Sequence, residues 1–167
     1  MINKNKVKII AEAGVNHNGK ISLAKKLILS SKSAGADIVK FQIFNSENFV
    51  SKKAKMAKYQ IKKNKKSNQF EMLKNLELSR KNFDNLFSFS KKNKIEFLGS
   101  IFDFENFDLI EKYRFKRIKV PSGEINNFIY LKKLSKFNIP IIISTGGSKL
   151  KEVEKCLNFL VSKNQIS

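Results

Sequence analysis

Cysteine occurs once in this chain, at Cys156, so no disulfide can form within it and a reducing compartment is permitted. That residue sits in Val153-Glu154-Lys155-Cys156-Leu157, an amphipathic helical pattern, and reads as a small buried hydrophobe. Histidine also occurs once, at His17, with no partner to complete a metal site, so it reads as a hydrogen-bonding group of its loop. Arginine is confined to Arg80, Arg114 and Arg117, so the bidentate forks that read bases are scarce. No apolar run approaches the roughly 18–20 residues of a membrane span. No secretory leader is visible either, because Lys8 interrupts Val7 to Ile10 and Glu12 follows at once. Neither a GxGxxG nor a P-loop pattern is present. Acidic residues number only 14 against 34 Lys plus Arg, a net charge of +20, which raises nucleic acid as a partner. The excess is nearly all lysine, spread over helix faces and loops, and reads as solvated surface. The expectation is therefore a cytoplasmic protein with neither nucleic acid nor membrane as partner.

What is present is a regular alternation of elements. Short β-branched runs at 7–12, 37–42, 95–100, 117–120 and 139–144 predict strands. Helical periodicity at 22–34, 82–93, 107–113, 127–137 and 150–161 predicts the helices that follow them. Residues 44–78 form a long polar excursion, with Lys62 to Lys66 as a solvated loop. Five βα units in a row imply an α/β class with a parallel sheet. Each strand runs into polar residues: Glu12, then Lys40 and Gln42, then Ser100 and Asp103, then Lys119 and Ser122, then Ser144 and Thr145. In a (β/α)₈ barrel these ends share the catalytic face, whereas in a doubly wound sheet they split across a crevice. The missing nucleotide motifs favour the barrel, TIM-barrel type, of which five units are an incomplete part.

The densest such strand end is Lys119-Val120-Pro121-Ser122-Gly123-Glu124-Ile125. Pro121 has no N–H to donate and ends the ladder. Lys119 and Ser122 then offer a cation and a hydroxyl at the strand terminus, with Gly123 expected to let a ligand approach the backbone. That combination suits a phosphate or a carboxylate. Lys40 and Gln42 share one side of a strand that a parallel sheet would normally keep apolar, which marks them as functional candidates.

The motifs together resemble the sialic acid synthases, including the legionaminic and pseudaminic acid synthases. The resemblance rests on Glu12-Ala13-Gly14-Val15-Asn16-His17-Asn18-Gly19, Val39-Lys40-Phe41-Gln42, Lys58-Tyr59-Gln60, Gln69-Phe70-Glu71-Met72-Leu73 and Leu76-Glu77-Leu78-Ser79. It continues through Phe102-Asp103, the Lys119 motif and Ile143-Ser144-Thr145-Gly146, all in the family's order. It implies the condensation of phosphoenolpyruvate with an N-acetylated amino sugar, similar to N-acetylmannosamine, to a nine-carbon 2-keto sugar acid with release of phosphate. Under it Lys40, Lys119, Ser122 and Ser144 bind phosphoenolpyruvate. Glu12, Lys40 and Gln42 are the catalytic set, Glu12 and Gln42 contacting or orienting the acceptor. It also implies a divalent metal, Mn²⁺ or Mg²⁺, and a homodimer for the complete enzyme. Residues 1–167 match the N-terminal part of one synthase barrel. The family's two metal-binding histidines, its last barrel units and its antifreeze-like domain have no counterpart here, so no metal site is expected within this chain. One motif departs: Ser100-Ile101-Phe102 stands where the family has Thr-Pro-Phe, keeping the hydroxyl and losing the proline. The alternative is a catalytically inactive fragment that acts only as an anion-binding or assembly module.

Overall fold

The computed structural model describes residues 7–55 and 68–161. The Lys62 to Lys66 loop and the Lys58-Tyr59-Gln60 motif lie outside the described residues. Five strands, β1 (Ile10–Gly14), β2 (Ile38–Ile43), β3 (Glu96–Ile101), β4 (Ile118–Val120) and β5 (Ile141–Ile143), form one sheet in the order β1-β2-β3-β4-β5. The registers recorded for β1 with β2, β3 with β4 and β4 with β5 are all parallel. Strand order therefore follows chain order with no reversal, as in a singly wound barrel sheet and unlike a doubly wound one.

Seven α-helices lie among the described residues: α1 (Ile21–Ser33), α2 (Ser46–Phe49), α3 (Gln69–Leu76), α4 (Arg80–Lys92), α5 (Asp108–Lys112), α6 (Phe128–Leu134) and α7 (Leu150–Val161). Two expectations are corrected. The first strand starts at Ile10, not Val7, because β2 begins only at Ile38, the residue that Ile10 faces. The excursion after β2 is not all irregular, since it holds α2 and α3. Asn68 accepts from the Glu71 N–H at 2.8 Å and the Glu71 carboxylate reaches back to the Asn68 N–H at 3.4 Å, a capping box that starts α3.

The chain divides into two compact units, residues 1–41 with 78–98 and residues 42–77 with 99–167. In the first, α1 and α4 pack together, burying Ala24, Ile28, Phe83 and Leu86. The Phe41 and Phe97 rings stack at 5.4 Å between centroids. A bulge falls between Glu12 and Gly14, and Gly14 takes a φ of 52°, a left-handed backbone that glycine adopts without a Cβ penalty.

In the second unit α6 packs against α7, and Leu109, Ile118, Val120, Leu131, Leu134 and Leu160 are buried. Each such side chain contributes about 1.5–3 kcal/mol relative to exposure. Gly99 is fixed by packing: a Cβ there would lie 2.7 Å from Ile43 Cδ1 and 3.1 Å from the Phe115 ring. Helix α7 matches the expected 150–161 span, and Cys156 is fully buried on it. Burial pushes its thiol pKa up. Every residue of β5 is half-buried, so this strand keeps an open apolar side.

Candidate active site

The Lys119 group lies in the second unit. Strand β4 is three residues long, with Ile118 and Val120 buried and Lys119 between them turned to the other side. Lys119 Nζ donates to Ser144 Oγ and, at 2.9 Å, to the Val120 carbonyl. The Ser144 N–H donates to the same carbonyl at 3.1 Å, which fixes Ser144 at the end of β5. Ser122 follows β4, its Oγ 3.7 Å from where a Gly146 Cβ would be, two residues past Ser144. Ser100 is buried and is the register partner of Lys119 on β3. One ammonium and the Ser122 and Ser144 hydroxyls are thus held together at the ends of β4 and β5, as an anion requires. A Cβ at Gly123 would meet open space, so no protein atom crowds the backbone there.

Also in this unit, Gln42 is half-buried on β2 between the buried Phe41 and Ile43. Three segments of the unit build a cleft of about 460 Å³. Asn48 and Phe49 come from α2, and Phe102, Asp103, Phe104 and Glu105 from the segment after β3. Glu124, Asn127 and Tyr130 come from the segment after β4. Asp103 is buried and accepts from the Asn45 N–H at 2.8 Å, the Asn106 N–H at 3.1 Å and Asn106 Nδ2 at 2.9 Å, so its charge is locked in place. Asn127 Nδ2 donates to Glu124 at 2.7 Å and the Tyr130 hydroxyl donates to the Ile101 carbonyl at 2.6 Å. The tyrosine pKa is driven up by burial first, then by the charges of Glu124 and Asp103, so the hydroxyl keeps its proton. Sequence reasoning did not assign Glu124, Asn127 or Tyr130. Glu124 and Asp103 stood inside quoted motifs, and a carboxylate one turn past a strand end was the available signal.

The first unit holds the other expected pair. Glu12 and Lys40 face each other in register across β1 and β2, and their side chains form an ion pair. The Lys40 side chain is only 12% exposed against 54% for Glu12, so the carboxylate supplies the counter-charge that a lysine so placed needs. His17 is 1% exposed and its Nδ1 accepts from the Gly19 N–H at 3.1 Å, which agrees with a hydrogen-bonding role in the loop. Its Nε2 finds no hydrogen-bond partner, and burial lowers its pKa, so the ring is held neutral. Among the described residues no group of three or more His, Cys, Asp or Glu could hold a metal ion. Those residues do not fit the divalent metal that the resemblance implies. No helix among them is long and apolar enough to cross a membrane.

The N,N'-diacetyllegionaminic acid synthase of Campylobacter jejuni is 49% identical over 156 residues, which are 93% of this chain and 47% of that enzyme. The mouse N-acetylneuraminate-9-phosphate synthase is 35% identical over 147 residues, 88% of this chain and 41% of its own. The chain thus spans less than half the length of these relatives, which are sialic-acid-type synthases. The crystal structure of N-acetylneuraminic acid synthetase from Leptospira borgpetersenii, in complex with citrate, superposes with a TM-score of 0.79 at 29% identity. That match covers 96% of this chain and 52% of the Leptospira chain, so the five-stranded sheet is part of a TIM-barrel-type fold. The NeuB family model matches residues 27–167, and with the strand order and the strand-end residues above this shows that the chain belongs to the NeuB family.

Proposed function

We propose that the chain takes part in a sialic-acid-type synthase reaction in the cytoplasm, condensing phosphoenolpyruvate with an N-acetylated amino sugar in surface-carbohydrate biosynthesis. The observation that carries the reading is the Lys119 Nζ to Ser144 Oγ bond, with the Ser122 hydroxyl beside Gly146. Phosphoenolpyruvate is a trianion near neutral pH, and a cation flanked by two hydroxyls both neutralises and orients it. Carbon 3 of the enol bonds to the acceptor aldehyde carbon, positive charge develops at carbon 2, water adds there, and phosphate leaves with its bridging oxygen. The products are inorganic phosphate and a 2-keto acid three carbons longer than the sugar. The resemblance also implies Glu12, Lys40 and Gln42 as catalytic residues, Lys40 as a further cation for the donor. The cleft of Glu124, Asn127 and Tyr130 has the chemistry of an acceptor site, with carboxylates and amides for sugar hydroxyls and rings for the apolar face of the sugar. A homodimer is part of the proposal for the complete enzyme.

The test joins this chain to the remaining half of the Campylobacter relative and follows phosphate and 2-keto sugar acid from phosphoenolpyruvate and N-acetylmannosamine or a diacetamido sugar. Formation of both products, lost in Lys119→Ala, supports the reading. A folded chimera that makes neither product from any such sugar refutes it.

A further inference from the structure

We infer that Asn126 and Glu152 are positioning residues, a latch between the segments after β4 and β5 that holds the Ser122 and Ser144 hydroxyls in place for phosphoenolpyruvate, on the donor-site reading just proposed. The two segments are tied together twice. At the strand ends the Ser144 N–H donates to the Val120 carbonyl at 3.1 Å. Farther out, Asn126 Nδ2 donates to Glu152 Oε1 at 2.8 Å. The other oxygen, Oε2, accepts from the Lys149 N–H at 2.6 Å, so Glu152 grips the start of α7 as well as the segment after β4. The Lys149 N–H first and the Asn126 amide next hold the Glu152 pKa below its ordinary 4.5, which keeps the carboxylate charged at neutral pH. In chain order Ser122 falls between the two ties on one segment and Gly146 on the other, with Ser122 Oγ 3.7 Å from where a Gly146 Cβ would be.

The latch matters because both segments contain residues that bend freely. Gly123 has open space where its Cβ would be, and Gly146 and Gly147 follow Thr145 in succession. Gly147 takes a φ of 76° in a turn closed by the Ser148 N–H on the Thr145 carbonyl at 3.0 Å. Glycine has more backbone freedom to lose than any other residue, and a segment left free must be ordered when the anion binds. A tie made beforehand removes that cost and keeps the hydroxyls in register with the Lys119 ammonium. Behind the latch α6 and α7 pack together, and the Phe128 and Phe159 rings meet edge to face at 5.3 Å. The helices therefore stay together without the latch, so its loss is felt in anion affinity and not in the fold.

The experiment is a calorimetric titration of phosphoenolpyruvate into the 167-residue chain and its variants, with urea unfolding of each. Asn126→Ala, which changes no charge, should weaken binding at least about threefold and leave the unfolding midpoint in place. Asn126→Asp sets two carboxylates against each other and should weaken it further. Adding Glu152→Gln to Asn126→Asp exchanges donor and acceptor, because the introduced amide donates to the introduced carboxylate while its oxygen still takes the Lys149 N–H. That pair should restore the affinity to within about twofold of wild type. Glu152→Gln alone should weaken binding, since one oxygen must then serve two donors, whereas mere removal of a negative charge would tighten it. Wild-type affinity in Asn126→Ala, or a double variant no better than Asn126→Asp, would overturn the latch; a loss in Lys119→Ala in the same series would leave the donor reading standing. A folded wild-type chain that takes up no phosphoenolpyruvate would overturn both.

Discussion

Glu77 is predicted to hold one wall of the cleft in place, and removing its carboxylate should loosen that wall first. Helix α2 has four residues, too few to persist by its own hydrogen bonds, yet it carries Asn48 and Phe49 into the cleft. Its first residue, Ser46, is fully buried and gives both its N–H, at 2.9 Å, and its hydroxyl, at 2.6 Å, to Glu77 Oε2. Lys74 Nζ lies 3.3 Å from the same carboxylate. Glu77→Ala strands two buried donors whose bonds to a charged acceptor are worth about 1.5–3 kcal/mol each, not additively, so a loss of about 3 kcal/mol is expected. Glu77→Gln keeps one acceptor oxygen and should cost about 1 kcal/mol. Burial pushes the carboxyl pKa up, but the Ser46 hydroxyl and amide and the Lys74 cation outweigh it and hold it below its ordinary 4.5. A depressed folded pKa means that this stabilisation is complete above pH 4.5 and is lost as pH falls through the lower folded value. Urea unfolding gives the total loss, and hydrogen exchange at the Val50 amide, bonded to the Ser46 carbonyl at 3.2 Å, reports the local opening. A Glu77→Ala variant within roughly 0.5 kcal/mol of wild type, with unchanged exchange at Val50, would refute the anchoring role.

Two further outcomes follow from packing. Gly99→Ala should destabilise by about 1–3 kcal/mol in urea unfolding, because its Cβ would sit 2.7 Å from Ile43 Cδ1 and 3.1 Å from the Phe115 ring; an unchanged midpoint would show that both side chains give way. Cys156, buried and with its thiol pKa raised by burial, should react with an aromatic disulfide reagent only as the chain unfolds, and rapid stoichiometric reaction under native conditions would contradict its burial.

The βα alternation was legible because apolar periodicity is a local signal, and α7 ends where its pattern ends. The Lys119 group was legible for a similar reason: Pro121 marks the strand end in the sequence, so Lys119 and Ser122 could be placed without contacts. Helix α3 was missed although Asn68 and Glu71 stand at capping-box spacing, because the surrounding polar run hid its short apolar face. The cleft was not legible as a whole. Asn48, Glu105 and Asn127 come from separate segments, and no periodicity in one segment reports what the next brings beside it. Gly99 also gave no signal, since its need for close approach depends on Ile43 and Phe115, distant in the chain.

The central claim is that Lys119, with Ser122 and Ser144, receives phosphoenolpyruvate. Calorimetric titration of phosphoenolpyruvate into the chain and into its Lys119→Ala variant, with far-UV circular dichroism confirming that both are folded, addresses it most directly. Loss of a charge-assisted contact of about 1.5–3 kcal/mol predicts binding weakened by roughly ten- to 150-fold, with the wild-type affinity falling as salt is added. An affinity unchanged by the substitution would contradict the account.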